Sequence, residues 1–141
     1  MSNATFIKIS VLSLSIIIGA CVQNEEPRKW TSDAPAATAV GETENCVTIS
    51  RIKRSDIHDE RTIDFKLSGG KIYRNIMPQA CPSLNKHDAI SYDIRGNRLC
   101  SPEFIYVLEN DAGVLRRGAA CTLGQFVPIK YIDRELDVIG Q

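Results

Sequence analysis

The sequence predicts an all-β fold, a small antiparallel barrel or sandwich of about five to seven short strands. Three observations predict it: short segments alternate apolar with polar residues, glycine-containing turns separate these segments, and four cysteines lie in the same part of the chain. No long helical period crosses this region of the 141-residue chain. We therefore expect a disulfide-bonded β domain over residues 46–129.

A hairpin is the clearest local prediction. Residues 62–67 alternate apolar and polar side chains, so every second side chain lies on the same face of a strand. Ser68, Gly69 and Gly70 are turn residues, and residues 71–77 form the second strand.

Shorter patterns predict the other strands. Residues 48–57 form an upstream strand, in which Ile52 and Ile57 have opposite parity and require a bulge. Pro78 and Pro82 predict a loop, and Pro128 places the end of the last strand at a sheet edge. Alternation, apolar runs and turn residues indicate strands near residues 89–95, 99–100, 104–108, 114–115 and 121–129.

The C-terminal tail, residues 130–141, carries a weak helical pattern. Ile132, Leu136 and Ile139 have the spacing i, i+4 and i+7, which is typical of one helix face. We expect a short C-terminal helix there, although a helix of that length is marginal alone.

Before the β domain, residues 11–18 form an apolar core and the motif Ile18-Gly19-Ala20-Cys21 follows. This motif resembles the lipobox of bacterial lipoproteins. The resemblance implies that residues 1–20 are a signal peptide, and that Cys21 receives a thioether-linked diacylglycerol. Two alternatives remain open, an uncleaved signal-anchor or amphipathic segment and a signal peptide cut elsewhere, because Lys8 alone makes a weak basic region.

The lipoprotein resemblance also predicts a compartment. Two or three acyl chains hold a protein stably to a bilayer, so the membrane is an expected partner through Cys21. Val22 stands where an aspartate commonly retains Gram-negative lipoproteins in the inner membrane. The expected location is the cell envelope, on the periplasmic face of the outer membrane if the host is Gram-negative.

Residues 21–45 are expected to be the lipidated N-terminus and a flexible tether. Val22, Trp30 and Val40 are their only large apolar residues, and such a composition buries too little surface to offset ordering entropy.

Cysteine usage agrees with export. Of five cysteines, Cys21 is assigned to lipid, which leaves an even number for two structural disulfides. Three pairings are open. We favour Cys81 with Cys100 and Cys46 with Cys121, because this nested arrangement ties a mid-chain loop and joins the ends of the domain.

Charge excludes some partners. The chain has 17 basic and 17 acidic residues; the leader holds one lysine, so 16 and 17 remain and the net charge is −1. Such a balance does not attract nucleic acid.

The folded part also resembles a family of small exported proteobacterial proteins classed as a domain of unknown function. The resemblance implies a disulfide-bonded β domain behind a signal peptide and supplies no catalytic residue. Glu60 departs from the pattern, where aspartate is common. The matching segments are residues 59–65, 73–75, 81–84, 91–92, 99–101, 105–107 and 118–128.

Three function hypotheses follow. The leading one is a non-enzymatic envelope module that binds or supports a protein partner, without catalytic residue, cofactor or metal. A second is a hydrolase or metal-dependent enzyme using His58, Glu60 and His87, and a third is a redox protein that cycles a Cys81–Cys100 disulfide. The partner surface of the leading hypothesis is expected at exposed Tyr73, Arg74, Asn75, Arg116 and Arg117.

Overall fold

The computed structural model describes residues 31–87, 89–93 and 96–132, and the fold over these residues is all-β, as predicted. Two single-turn 3-10 helices, Ile49–Arg51 and Leu84–Lys86, interrupt the strands. The strands are β1 (Ala37–Ala39), β2 (Cys46–Thr48), β3 (Ile52–Ile57), β4 (Thr62–Leu67), β5 (Ile72–Ile76), β6 (Ile90–Tyr92), β7 (Arg98–Cys100), β8 (Phe104–Asp111), β9 (Val114–Thr122) and β10 (Phe126–Tyr131).

The strands form three antiparallel sheets. The largest has five strands in the order β1-β10-β5-β4-β3, a second has the order β6-β8-β9, and β2 pairs with β7. The predicted hairpin is confirmed as β4 and β5, with Phe65 opposite Tyr73. Its turn needs glycine because Gly69 and Gly70 have φ values of +85° and +77°. The predicted bulge lies between Ile52 and Arg54.

One hydrophobic core joins the sheets in a sandwich-like arrangement. The alternation of β4 places Ile63 and Phe65 in this core, where both side chains are fully buried. The Phe65 ring meets the Phe126 ring edge to face at 5.5 Å, and burial of each such side chain stabilises the fold by about 1.5–3 kcal/mol. Ile105 and Val107 of β8 contribute from the three-stranded sheet.

The favoured disulfide pairing was wrong, and the Cys81–Cys100 bond that the redox hypothesis invoked is not formed. The bonds are Cys46–Cys100 and Cys81–Cys121. Strand register decides the first, because β2 pairs with β7 and places Cys46 directly opposite Cys100. Cys81 and Cys121 are then left to pair with each other, and both are buried.

The boundaries of the folded unit also differ from the prediction. The compact unit begins at Thr31 rather than Cys46, because β1 pairs with β10 and Glu44 bridges to Phe126. Backbone pairing, rather than apolar burial, therefore orders this polar segment. The last strand reaches Tyr131, and it is an inner strand between β1 and β5, so the expectation of an edge at Pro128 was wrong.

Two predictions fall mostly outside the described residues. Ile132 is not helical, and residues 133–141 of the expected C-terminal helix lie beyond the described part. The leader and Cys21 lie there as well. Among the described residues, no helix combines the length and apolar character needed to cross a membrane.

Candidate functional site

The predicted partner surface is not exposed at the hairpin. Tyr73 is 4% exposed and Asn75 is fully buried, because β5 lies inside the sheet with β4 on one side and β10 on the other. The Asn75 side chain bonds the backbone of Gly124 in both directions, at 2.7 and 2.9 Å. The expectation of exposure at these residues was therefore wrong.

The two other predicted partner residues lie on a different sheet. Arg116 and Arg117 are exposed on β9. The Arg117 guanidinium binds the Asp93 carboxylate at 2.8 Å and lies 4.6 Å from the centre of the Tyr106 ring. The structure thus places Arg116 and Arg117 in the three-stranded sheet, and the hairpin residues in the five-stranded one.

Arg74 belongs to a polar cluster centred on Asp64, which we call the Asp64 cluster. It consists of Asp64, His58, Arg74 and Tyr131. Arg74 donates to both oxygens of the fully buried Asp64 carboxylate at 2.8 Å. The Tyr131 hydroxyl donates to it at 2.9 Å, and His58 Nε2 lies 2.9 Å away.

Electrostatics show how the Asp64 charge is accommodated. Burial opposes ionisation of Asp64, but hydrogen bonds from Arg74 and Tyr131 outweigh it and keep the pKa of this carboxyl below its ordinary value. The Asp64–Tyr131 hydrogen bond, after burial, also helps to raise the pKa of Tyr131 to about 12. Four contacts occupy the two oxygens of the Asp64 carboxylate, two from Arg74 and one each from Tyr131 and His58. The cluster is therefore a structural ion pair with two further hydrogen-bonding partners.

Two smaller groups are built in the same way. Asp56 binds Arg54, and also Lys66 at 2.7 Å, and the hydrogen bond from Arg54 is the main cause that lowers the pKa of Asp56 to about 2. The buried Asp59 accepts hydrogen bonds from the Ser32 hydroxyl at 2.7 Å and from the Arg61 backbone at 2.7 Å. Ser32 thereby ties the start of the folded unit to the sheet.

The three residues of the enzyme hypothesis are not assembled into a metal centre. His58 uses Nε2 for Asp64, and the Glu60 carbonyl accepts from the Cys81 backbone at 2.7 Å. His87 ends the second 3-10 helix. Within residues 31–87, 89–93 and 96–132, no group of three His, Cys, Asp or Glu side chains could hold a metal ion.

The sequence did not predict an open groove of about 740 Å³, which we call the arch groove. Residues 40–44 arch over one side of it. The other sides are residues 70–73 of the hairpin and residues 128–130 of β10.

Pro128 explains why the arch leaves the sheet. In an antiparallel pair, the N–H and C=O of one residue point to the same neighbouring strand. The Pro128 carbonyl accepts from the Val40 amide at 2.9 Å, but Pro128 has no N–H to return. Pairing resumes only at Glu44, whose backbone exchanges two hydrogen bonds with Phe126. Gly41 fits the close approach, since a Cβ there would lie 3.2 Å from Pro128 Cγ.

Tyr73 connects the groove to the core. Its hydroxyl donates to Glu44 Oε1 at 2.6 Å, and this hydrogen bond is the main cause that raises the pKa of Tyr73 to about 12. The bond holds the Glu44 carboxylate against the hairpin. Gly41 and Pro128 were the sequence signals of the groove, but Gly41 fell in the predicted tether.

Comparisons with known proteins do not identify a function for the arch groove. No protein-family model, no curated protein and no solved structure matches this chain.

Proposed function

We propose that this chain is a lipid-anchored cell-envelope protein whose folded part is a non-enzymatic binding module. The arch groove carries the binding part of the proposal, because its volume is within the range of about 300–1,000 Å³ typical of ligand sites. The motif from Ile18 to Cys21 supports the anchor, as in the lipoproteins that it resembles. The periplasmic face of the outer membrane is the proposed location in a Gram-negative host.

The chemistry of the buried charges favours binding over catalysis. A catalytic carboxylate needs an oxygen free for substrate or for a proton. The Asp64 oxygens are occupied by Arg74, Tyr131 and His58. No observation favours the hydrolase or metal-dependent alternative.

The disulfides support export. The four cysteines of the folded unit are all paired, and paired cysteines persist in oxidising compartments. Because the folded unit begins at Thr31, nine residues separate it from Cys21, and the ten steps from Cys21 to Thr31 reach at most about 36 Å. An anchor at Cys21 would therefore keep the groove close to the bilayer.

Two measurements test the proposal. Mass spectrometry of the full chain from envelopes should find diacylglycerol on Cys21, and Cys21→Ser should release the protein from the membrane fraction. A photo-crosslinking amino acid at Thr43, on the arch, should give adducts in intact envelopes. The same group at Val114, exposed on β9 and remote in sequence, is the control. Unmodified Cys21 would reject the anchor, and equal crosslinking at both positions would reject the groove as the binding site.

A further inference from the structure

Four charged residues line the arch groove, and their signs divide by chain segment. The acidic residues, Glu42 and Glu44, belong to the arch, whereas Lys71 follows the hairpin turn and Lys130 lies on β10. The arch therefore contributes only acidic charges to the lining, and the two strands contribute only basic ones.

Most of these charges have no partner inside the protein. Among the residues that the structure describes, no hydrogen bond or ion pair engages the side chains of Glu42, Lys71 or Lys130. Glu44 binds Tyr73 through Oε1 only. This differs from the Asp64 cluster, where internal donors occupy both carboxylate oxygens.

Apart from the charged residues, the lining is largely apolar. It includes Val40, which remains 59% exposed, and Pro128. Apolar lining with a few polar groups at its margins is typical of small-ligand sites, in which the apolar surface supplies affinity and the polar groups fix orientation.

We propose that the arch groove binds short peptides with an apolar body and two free ends. The ammonium end lies against Glu42 and Glu44, and the carboxylate end lies against Lys71 and Lys130. Charge complementarity identifies this ligand class, because a zwitterion with an apolar middle matches a lining that combines acidic residues of the arch, basic residues of the strands and apolar residues. The inference rests on the proposed binding function and specifies its ligand.

Calorimetry of the full-length Cys21→Ser protein with the tripeptide Ala-Leu-Val tests the ligand class. The peptide with free ends should bind most tightly. N-acetylation and C-amidation should each weaken binding by about fivefold, which is the range of one exposed ion pair.

Two variants test which part of the groove lining binds each end of the peptide. Glu44→Gln keeps an acceptor for Tyr73 and should reduce the effect of N-acetylation, with Glu42 still present, while leaving the effect of C-amidation. Lys130→Gln should do the reverse. Lys53→Gln and Asp111→Asn remove exposed charges outside the groove and should change neither effect, and thermal unfolding checks that every variant is folded.

The outcomes separate this inference from the proposed function. If the tripeptide does not bind, or if capping its ends has no effect, the peptide inference is wrong, and site-specific adducts at Thr43 would still support a binding module. If adducts at Thr43 and peptide binding are both absent, the proposed function fails as well. Binding whose sensitivity to the caps is the same in Glu44→Gln and wild type would overturn the assignment of the ammonium end.

Discussion

The Asp64 cluster and the arch groove both involve β5 and β10 of the five-stranded sheet, yet they use charge in opposite ways. In the cluster, Arg74, Tyr131 and His58 surround a carboxylate with no solvent exposure. In the groove, Glu42, Lys71 and Lys130 line open space, and no partner within the described residues binds their side chains. The comparison teaches that a charged residue indicates a binding site only where no other group of the protein binds its side chain.

The largest effect is expected at the centre of the cluster. Asp64→Ala leaves the Arg74 guanidinium, whose side chain is only 14% exposed, without its carboxylate. Removing one partner of a buried ion pair costs about 3–5 kcal/mol. Denaturant unfolding with the disulfides intact should show a loss in this range. A loss under about 1 kcal/mol would mean that the Asp64–Arg74 pair contributes little to the free energy of unfolding. The cluster and the groove would then not differ in the way proposed.

A smaller effect is expected at Tyr73, where the groove meets the core. Tyr73→Phe keeps the ring and removes the hydroxyl that holds Glu44. A hydrogen bond to a carboxylate contributes about 1.5–3 kcal/mol, and because Glu44 is exposed, unfolding should report a loss at the lower end of that range. The same variant should weaken tripeptide binding through the freed Glu44 side chain. Unchanged binding would show that the position of Glu44 is not set by Tyr73.

The smallest stability effect is expected at the free charges of the groove. Glu42→Gln, Lys71→Gln and Lys130→Gln remove exposed charges that stabilise nothing inside the described protein, so each should change the free energy of unfolding by less than about 0.5 kcal/mol. The measurement is the same denaturant titration. A loss above 1 kcal/mol in any of them would reveal a structural role and weaken the peptide inference.

Each of the two regions contains a tyrosine whose titration makes the stability depend on pH. Tyr73 and Tyr131 each have a pKa raised to about 12, one by Glu44 and the other by burial and Asp64. A raised pKa stabilises the fold below the unfolded value of about 10, and this contribution is lost as the pH rises from 10 to 12. Phenolate absorbance should show one late-titrating tyrosine fewer in Tyr73→Phe than in the wild type.

At acidic pH, stability is lost as the pH falls, because the group concerned has a lowered pKa rather than a raised one. Asp56 has a pKa lowered to about 2, so its contribution is complete above the unfolded value near 4 and is lost as the pH falls from about 4 to 2. Stability measured across this interval should fall less steeply in Asp56→Asn than in the wild type. Equal slopes would show that Asp56 is not ion-paired in solution.

Sequence patterns predicted what depends on local alternation. The fold class and the β4–β5 hairpin followed from the order of apolar residues in 62–67, because one face of that strand enters the core. The same pattern did not indicate that the other face is covered as well. Thr62 and Asp64 are also buried, because the segment with Ser32 and side chains from β5 and β10 cover them.

The groove and the disulfide pairing depend on contacts between distant parts of the chain. The arch forms because Val40 and Glu44 pair with β10, more than 80 residues later in the chain. No pattern in the local sequence predicts this pairing. The bond from Cys46 to Cys100 depends likewise on the register of β2 against β7. The exposure predicted for Tyr73 and Asn75 failed because polarity alone does not reveal an inner strand.

A titration of the folded protein with Ala-Leu-Val, followed by backbone amide NMR, tests the central claim that the arch groove and not the Asp64 cluster is the binding site. We expect the largest shifts at residues 41–44 and 70–73, with His58 and Asp64 unchanged. Shifts confined to the Asp64 cluster, or no shifts at millimolar peptide, would contradict the account.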